Sequence, residues 1–259
     1  VWAITCLTVP VALEVIMTRL FAGRFLAGLK DTKDAVPTSR EIFWFNLPLA
    51  TGGYLLAISG VLLGAFIARA PDPERILPVY YLALGLANPV AFAATHIQTV
   101  VLAFPPPATN VKQLGRFSAT MGALLGLIPL AAILPGADRL YYVVLQNLPP
   151  GDLPLVRITA LALVCFPLGV ALRARNEGVA VWLKKPSAVL KGNSVFVITI
   201  ALIGATALTI GIPGYFIGPI GLSLSNLASA GIIWLVLGRS KETPIQPVQT
   251  TTTSMGQIR

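Results

Sequence analysis

Five polar residues recur on one side of an apolar stretch in the first half of the sequence. With Asn88 set at zero and about 100° per residue, Thr95 and Thr99 fall within about 20° of it, and His96 and Gln98 lie about 80° to either side. Polar groups without partners are costly in lipid, so this polar stripe must face other helices or a water-filled cavity. Its residues are predicted to line a substrate or ion pathway. Hydrogen bonding that only holds helices together is the alternative.

A proline follows the first residue of the polar stripe. Pro89 removes one backbone hydrogen bond beside Asn88 and permits a kink, so it is the predicted hinge of this segment. The opposite face of the segment is apolar and carries Val90, Ala94, Ile97 and Val101.

Two charged residues fall within other apolar stretches. Glu14 lies in the middle of the first stretch, where a carboxyl must be protonated, paired or in contact with water. It is therefore a candidate proton or cation group of the pathway, with a neutral acid at a helix interface as the alternative. Arg157 lies close to the outer end of the fifth stretch. Snorkelling to the headgroups is enough to explain it, and an anion-binding role on the pathway is the alternative.

A cluster of positive charge follows the fifth apolar stretch. Arg173, Arg175, Lys184 and Lys185 fall between residues 173 and 191 and are predicted to form a cytoplasmic basic cluster. Topology alone explains such a cluster. It would also raise the local concentration of an anionic substrate at a cytoplasmic mouth.

The sequence carries none of the short motifs of soluble enzymes. It has no GxGxxG before a helix, no GxxxxGK[ST], no HExxH and no GxSxG. It contains one histidine, which argues against a histidine-based metal site. We therefore predict no enzymatic activity, no catalytic residue, no metal and no cofactor.

Membrane-spanning helices are the elements that must hold these residues. Charged residues make up 11% of the 259-residue chain and apolar residues 55%, with a mean hydropathy of +0.79. About 20 apolar residues cross a bilayer as a helix. The sequence predicts an all-α polytopic membrane bundle of about seven transmembrane helices. The predicted spans are 1–22, 43–68, 76–103, 117–135, 153–173, 192–212 and 215–238.

The positive charge is distributed as topology requires. Fifteen of the 19 Lys and Arg residues fall in the connectors 19–40, 104–116 and 173–191 or in the tail after 238. Cytoplasmic loops carry such an excess, so these connectors are predicted to be cytoplasmic. This distribution explains the net charge of +9 and argues against nucleic acid as a partner.

Three regions are predicted along the chain. Residues 1–40 would be the last helix of a preceding lobe with a basic inter-lobe loop, 41–239 a six-helix lobe, and 240–259 a disordered cytoplasmic tail. Val1 begins inside an apolar run without a basic leader, so the chain is expected to be the C-terminal part of a longer protein. Small residues four apart, Gly60 with Gly64 and Gly122 with Gly126, are predicted to let helices approach closely.

Short segments between 41 and 238 match, in type and order, the second half of a known family of membrane proteins. They are Phe43–Ala50, Asn88–Ala91, Thr95–Ile97, Phe166–Pro167, Arg173–Ala174, Val181–Leu190 and Gly211–Gly221. Together they resemble the C-terminal region of the progressive ankylosis family, which belongs to the wider multidrug/oligosaccharidyl-lipid/polysaccharide exporter superfamily. The sequence departs from the family where its eighth span carries Glu-Ile-Arg, because here it is His96-Ile97-Gln98.

The resemblance implies a fold and a function. Family members have two six-helix lobes, so this chain would hold the last helix of the first lobe and the whole second lobe. It would not be expected to transport without the missing N-terminal lobe. The implied function is secondary transport or export of small organic or phosphorylated anions, such as ATP, citrate or pyrophosphate, by alternating access. Export of lipid-linked saccharides or drugs is one alternative. A non-transporting scaffold or regulatory subunit is the other.

Topology is the first testable prediction. In the cytoplasmic (plasma or inner) membrane, Val1 should lie outside and Arg259 in the cytoplasm, because the basic connectors resist translocation. Single cysteines placed in loop 19–40 should resist a membrane-impermeant thiol reagent added from outside, whereas cysteines placed in 69–75 should react. Labelling of loop 19–40 from outside would contradict the orientation.

Overall fold

The computed structural model describes residues 2–26, 37–106, 111–131 and 133–238. Helices account for nearly all of them, and no strand occurs in these ranges. The α-helices are α1 (Trp2–Leu26), α2 (Ser39–Ile67), α3 (Pro73–Thr95), α4 (Ile97–Ala103), α5 (Val111–Ala131), α6 (Leu153–Ala162), α7 (Phe166–Trp182), α8 (Pro186–Thr209) and α9 (Gly214–Gly238). A π-helical segment, Arg139–Leu145, and a 3-10 turn, Pro150–Asp152, lie between α5 and α6.

The predicted fold class is confirmed. Within the described residues, six helical segments are long and apolar enough to cross a membrane, and they coincide with the second to seventh predicted spans. The segments are Ser39–Ile67, Pro73–Ala103, Val111–Ala131, Pro150–Trp182, Pro186–Thr209 and Gly214–Gly238. The first predicted span is a helix of 25 residues, α1. That α1 also crosses the bilayer stays a prediction.

The helix that carries the polar stripe is interrupted, but not at its proline. α3 continues through Pro89 to Thr95, and the interruption lies at His96, before α4 begins at Ile97. The backbone N–H of His96 donates to the carbonyl of Ala93 at 3.2 Å, so this turn is tighter than an α-helix. The hinge role of Pro89 stays a prediction.

The predicted end of the fifth span, at residue 173, is wrong. α7 continues to Trp182 and α8 begins at Pro186, so the connector between them shrinks to Leu183–Lys185. Arg173 and Arg175 therefore lie within a helix rather than in a basic connector. The helix continues past these charges, and the residues that follow them pack inside the bundle, since Asn176, Glu177, Gly178 and Ala180 are all buried.

α7 is the central helix of the bundle. It packs against α3, α4, α5, α8 and α9, and eleven of its 17 residues are buried. Two glycines allow this close packing. A Cβ built on Gly169 would lie 2.9 Å from the Cβ of Asn226 on α9, and one built on Gly178 would lie 2.8 Å from the Cβ of Val101 on α4. Helices on opposite sides thus approach the α7 backbone directly.

In one of the two predicted glycine pairs, Gly122 with Gly126, both glycines lie at a close helix contact. A Cβ on Gly122 would lie 2.9 Å from the Cα of Leu168, and a Cβ on Gly126 would collide with the carbonyl of Val164. α5 therefore packs against the interruption between α6 and α7. In the other pair, Gly64 meets the hydroxyl of Tyr81, whereas a Cβ on Gly60 would meet nothing within 4 Å.

The chain divides into two compact units, Val1–Glu41 and Ile42–Arg259. The first contains α1, and the second contains α3 to α9 together with most of α2. The predicted tail 240–259 and residues 27–36 of the basic loop lie outside the described residues. The predicted organisation into lobes stays a prediction.

The glycine contact of α5 gives a test of the packing. Replacing Gly126 with alanine should lower the free energy of unfolding by about 1–3 kcal/mol, because the added methyl meets backbone that cannot rotate away. Gly231→Ala on α9 is the matched control, since a Cβ there meets nothing within 4 Å. Denaturant-induced unfolding in detergent would measure both variants. Equal stability of the two would contradict this packing.

Candidate functional site

A cavity of about 480 Å³ opens between five helices of the second unit. α2, α3, α7, α8 and α9 all contribute to its wall, which is mainly apolar with a few polar groups. We call it the Arg173 cavity, because Arg173 is the one charged residue of its lining. Its polar lining residues are Ser59, Tyr80, Tyr81, Asn88, Thr95, Arg173 and Asn226.

Arg173 is buried with part of its hydrogen-bonding capacity unused. The residue is 7% exposed, and its Nε and Nη1 have no hydrogen-bond partner in the described part of the chain. Its guanidinium carbon lies 5.4 Å from the centre of the Phe196 ring, a cation–π contact. Trp182, the end of α7, is nine residues or about 14 Å further along the helix, so Arg173 lies inside a candidate membrane span rather than at its end.

Glu177 supplies the opposite charge one turn away on the same helix. The Nε of Arg173 and the Oε1 of Glu177 are 3.8 Å apart, which is an ion pair but too long for a hydrogen bond. Glu177 is 8% exposed, and its Oε1 has no hydrogen-bond partner among the described residues. The two side chains thus neutralise each other while N–H donors of the guanidinium stay available for another acceptor.

A buried amide lies on the same wall of the cavity. Asn226 on α9 is 1% exposed, and its amide nitrogen donates to the carbonyl of Leu222 at 2.7 Å. Its Oδ1 has no hydrogen-bond partner in the described residues. The cavity therefore offers guanidinium donors together with an amide acceptor, which is chemistry for binding rather than for covalent catalysis.

The predicted polar stripe is divided by the structure. Asn88 and Thr95 line the Arg173 cavity, whereas His96, Gln98 and Thr99 are not part of its lining. His96 is exposed and packs edge-on against the ring of Phe92, with ring centres 5.8 Å apart. On this part of the chain the cavity lining ends at Thr95, just before the tight turn at His96. The pathway role of the stripe stays a prediction.

The residues of the predicted basic cluster have different positions. Arg175 is half-buried and donates from Nη1 to the Oδ1 of Asn176 at 3.2 Å and from Nη2 to the carbonyl of Val111 at 3.3 Å. It thus fastens the start of α5 to α7. Lys184 is exposed and Lys185 half-buried in the short connector between α7 and α8. The four residues do not form a single surface patch, because Arg173 is buried in the cavity wall.

Glu14 belongs to the other unit of the chain. It is an exposed residue of α1. Its predicted role as a proton or cation group is not tested by the Arg173 cavity, whose lining residues all lie in the second unit.

Arg157 has a specific partner that the sequence did not indicate. On α6, it forms an ion pair and hydrogen bond with Asp138, whose side chain is completely buried. Asp138 also accepts from the backbone N–H of Arg139 at 2.7 Å and of Gly136 at 3.0 Å, and so caps the π-helical segment. Burial acts to raise the pKa of Asp138, but these hydrogen bonds and the charge of Arg157 hold it below its ordinary value.

A second ion pair joins the start of α3 to the 3-10 turn before α6. The Nε of Arg75, on the first turns of α3, lies 2.5 Å from Oδ1 of Asp152 in the 3-10 turn before α6. Together with the pair of Arg157 and Asp138, it fastens the segment between α5 and α6 to the bundle.

Sequence reasoning missed Glu177, Asn226 and Asp138. A local signal existed for Glu177, because Arg173 and Glu177 have the i,i+4 spacing of a helical ion pair. Charged residues usually mark the end of a membrane span, so the predicted fifth span ends at residue 173 and this pair falls in the predicted connector. Asn226 carries no such signal. Asp138 lies 19 residues from Arg157 across a loop, a distance over which no sequence periodicity operates.

Comparison with known proteins identifies no relative. No family model matches the chain, and no curated protein or solved structure matches it. The resemblance to the progressive ankylosis family therefore stays a prediction.

The buried carboxylate of Asp138 gives a pH-dependent prediction. At neutral pH, Asp138→Asn should lower the unfolding midpoint, because it removes the negative charge that pairs with Arg157 and replaces one of the two acceptor oxygens with an NH2 donor. The pKa of Asp138 is lowered in the fold, so its contribution is complete above the unfolded pKa of about 3.9. It is lost as pH falls through the lower folded pKa. The difference in unfolding midpoint between the variant and the wild type should therefore narrow as the pH falls below about 4.

Asp72→Asn is the control for this measurement. Asp72 is exposed, and its side chain makes no capping hydrogen bond to α3. The unfolding midpoint of Asp72→Asn is expected to differ from that of the wild type by no more than about 2 °C. Thermal unfolding of detergent-solubilised protein at several pH values would measure all three proteins. A midpoint of Asp138→Asn equal to that of the control at neutral pH would contradict the role given to the ion pair.

Proposed function

We propose that the chain is part of a secondary transporter of small organic or phosphorylated anions that works by alternating access. The observation that carries this proposal is the buried guanidinium of Arg173, which lines a cavity between candidate membrane spans and whose Nε and Nη1 have no hydrogen-bond partner among the described residues. Ionisable groups in such a position mark substrate or ion pathways. The proposed setting is the plasma or inner membrane, with Arg259 on the cytoplasmic side and an N-terminal lobe facing the cavity.

The size and chemistry of the cavity support an anionic ligand. Ligand pockets measure roughly 300–1,000 Å³, and this cavity has about 480 Å³. A guanidinium forms paired hydrogen bonds with carboxylate or phosphate oxygens, and these bonds are strong where water is scarce. Asn88, Thr95 and Asn226 add hydrogen-bonding groups for the polar part of an organic anion.

An amphiphilic anion is the second candidate, and the rim of the cavity favours it. Val61, Phe92 and Tyr81 line the cavity and are 76%, 68% and 51% exposed in the chain. An apolar rim of this kind at bilayer depth would admit a substrate from the hydrocarbon phase. A lipid-linked saccharide bound through its phosphate, or an acidic drug, would combine the apolar rim with Arg173.

A scaffold without transport is the third candidate. On that hypothesis, the pair of Arg173 and Glu177 only stabilises the bundle. Apolar residues of similar volume often replace a buried ion pair without loss of stability. The double variant Arg173→Met with Glu177→Leu would then keep every property of the protein.

Transport by the full-length protein in liposomes tests the proposal. We expect uptake of radiolabelled citrate or pyrophosphate, and a loss of about tenfold or more in Arg173→Lys, because lysine keeps the charge but lacks the planar fork of donors. Arg116→Lys is the matched control, since Arg116 is exposed on α5, and it should transport normally.

Three outcomes separate the candidates. Inhibition by dodecyl phosphate well below the concentration at which citrate competes would favour the amphiphilic anion. Uptake that is unchanged in Arg173→Lys would contradict the assignment of Arg173. The scaffold is favoured if no anion is taken up and the double apolar variant keeps the stability of the wild type.

A further inference from the structure

We propose that Glu177 is a proton-binding group that couples protons to anion binding at Arg173. This inference rests on the proposed function, because it assigns Arg173 to the anion. When an anion binds the guanidinium of Arg173, the carboxylate of Glu177 accepts a proton from water. The proton is released when the anion leaves.

The geometry places both partners in one rigid frame. Arg173 and Glu177 lie on the same helix at i,i+4, and their closest charged atoms are 3.8 Å apart. The contact is not a hydrogen bond, so the guanidinium can rotate towards the cavity without breaking one. Arg173 belongs to the cavity lining and Glu177 does not, so an anion in the cavity meets the arginine.

Among the described residues, Arg173 is the positive group that forms an ion pair with Glu177. The helices packed against α7 present few titratable groups, and Arg173 is the one whose charge acts on the carboxyl. Arg175, on the same helix, is engaged with Asn176 and Val111. Exposed groups on these helices and beside them are Glu74, Arg75 and Tyr81 on α3, His96 before α4, Lys112 and Arg116 on α5, and Lys191 on α8; Tyr80 is buried on α3 and Tyr215 half-buried on α9.

Charge balance then links the two ligands. The pair of Arg173 and Glu177 is neutral as it stands. A singly charged anion on Arg173 would leave the site with one net negative charge inside the span, where an uncompensated charge is disfavoured. Uptake of one proton by Glu177 restores neutrality. Glu177 keeps 8% exposure, so its carboxyl exchanges protons without unfolding of the bundle. The cavity is therefore expected to bind a singly charged anion together with one proton.

Anion affinity measured against pH tests the coupling. The probe is benzenesulfonate, which stays ionised from about pH 5 to pH 8, so that any proton taken up belongs to the protein. Wild-type full-length protein should bind it more tightly in acid, by up to about tenfold per pH unit. Glu177→Gln mimics the protonated carboxyl and should bind tightly at every pH. Glu74→Gln, a change at an exposed carboxylate of α3, should keep the wild-type dependence.

A measurement on the unmodified protein guards against misfolding of the variants. In weakly buffered solution, addition of benzenesulfonate to the wild type should remove about one proton from the medium for each anion bound. Binding without proton uptake would overturn the coupling whatever the variants do. Glu177→Asp keeps a titratable group and should keep the pH dependence.

The failures of the two proposals are distinguishable. If Arg173→Gln abolishes binding but Glu177→Gln keeps the wild-type pH dependence, the anion site stands and the role of Glu177 is wrong. If Arg173→Gln binds the probe as tightly as the wild type, or no binding is detected at any pH, the proposed function fails and the coupling with it.

Discussion

The pairing of Arg173 with Glu177 allows a helix with two buried charged residues to occupy the centre of a membrane bundle. A single charge at that depth would destabilise α7, whereas the pair is neutral and keeps both groups on one face. The ring of Phe196 stabilises the guanidinium from the neighbouring helix. The remaining helices can therefore pack around α7 from several sides, and the cavity opens where the arginine reaches the surface of this packing.

Small side chains determine which helices can reach α7. Gly169 and Gly178 bring α9 and α4 to its backbone, and the buried face of α3 is formed largely by alanines. Lipid supplies no hydrophobic driving force between helices, so close contact between backbones contributes most of their association. The cost of this arrangement is that polar groups such as Asn226 are enclosed without a full set of partners. Of these groups, Arg173 and Asn226 line the Arg173 cavity.

The sequence predicts the helices far better than the site. Long apolar runs are sufficient for the spans, because a bilayer accepts little else. The end of α7 was misplaced because charge normally marks a membrane boundary, and here Arg173 and Glu177 compensate each other inside the span. The contact of Asp138 with Arg157 depends on how a loop folds back on the bundle, which no local pattern encodes. The stripe from Asn88 is divided because the cavity lining ends at Thr95, and helical periodicity does not predict where a cavity ends.

The location of both charged partners on one helix has a kinetic consequence. Arg173 and Glu177 are carried by the same rigid element, so a movement of α7 against its neighbours leaves their separation unchanged. Only rotation about side-chain bonds can separate them. Rotamer changes take picoseconds to nanoseconds where they are unhindered, whereas collective helix movements take microseconds to milliseconds. In the proposed coupling, the guanidinium of Arg173 would therefore exchange Glu177 for an anion by side-chain rotation alone. This exchange would reach equilibrium well before the helices rearrange.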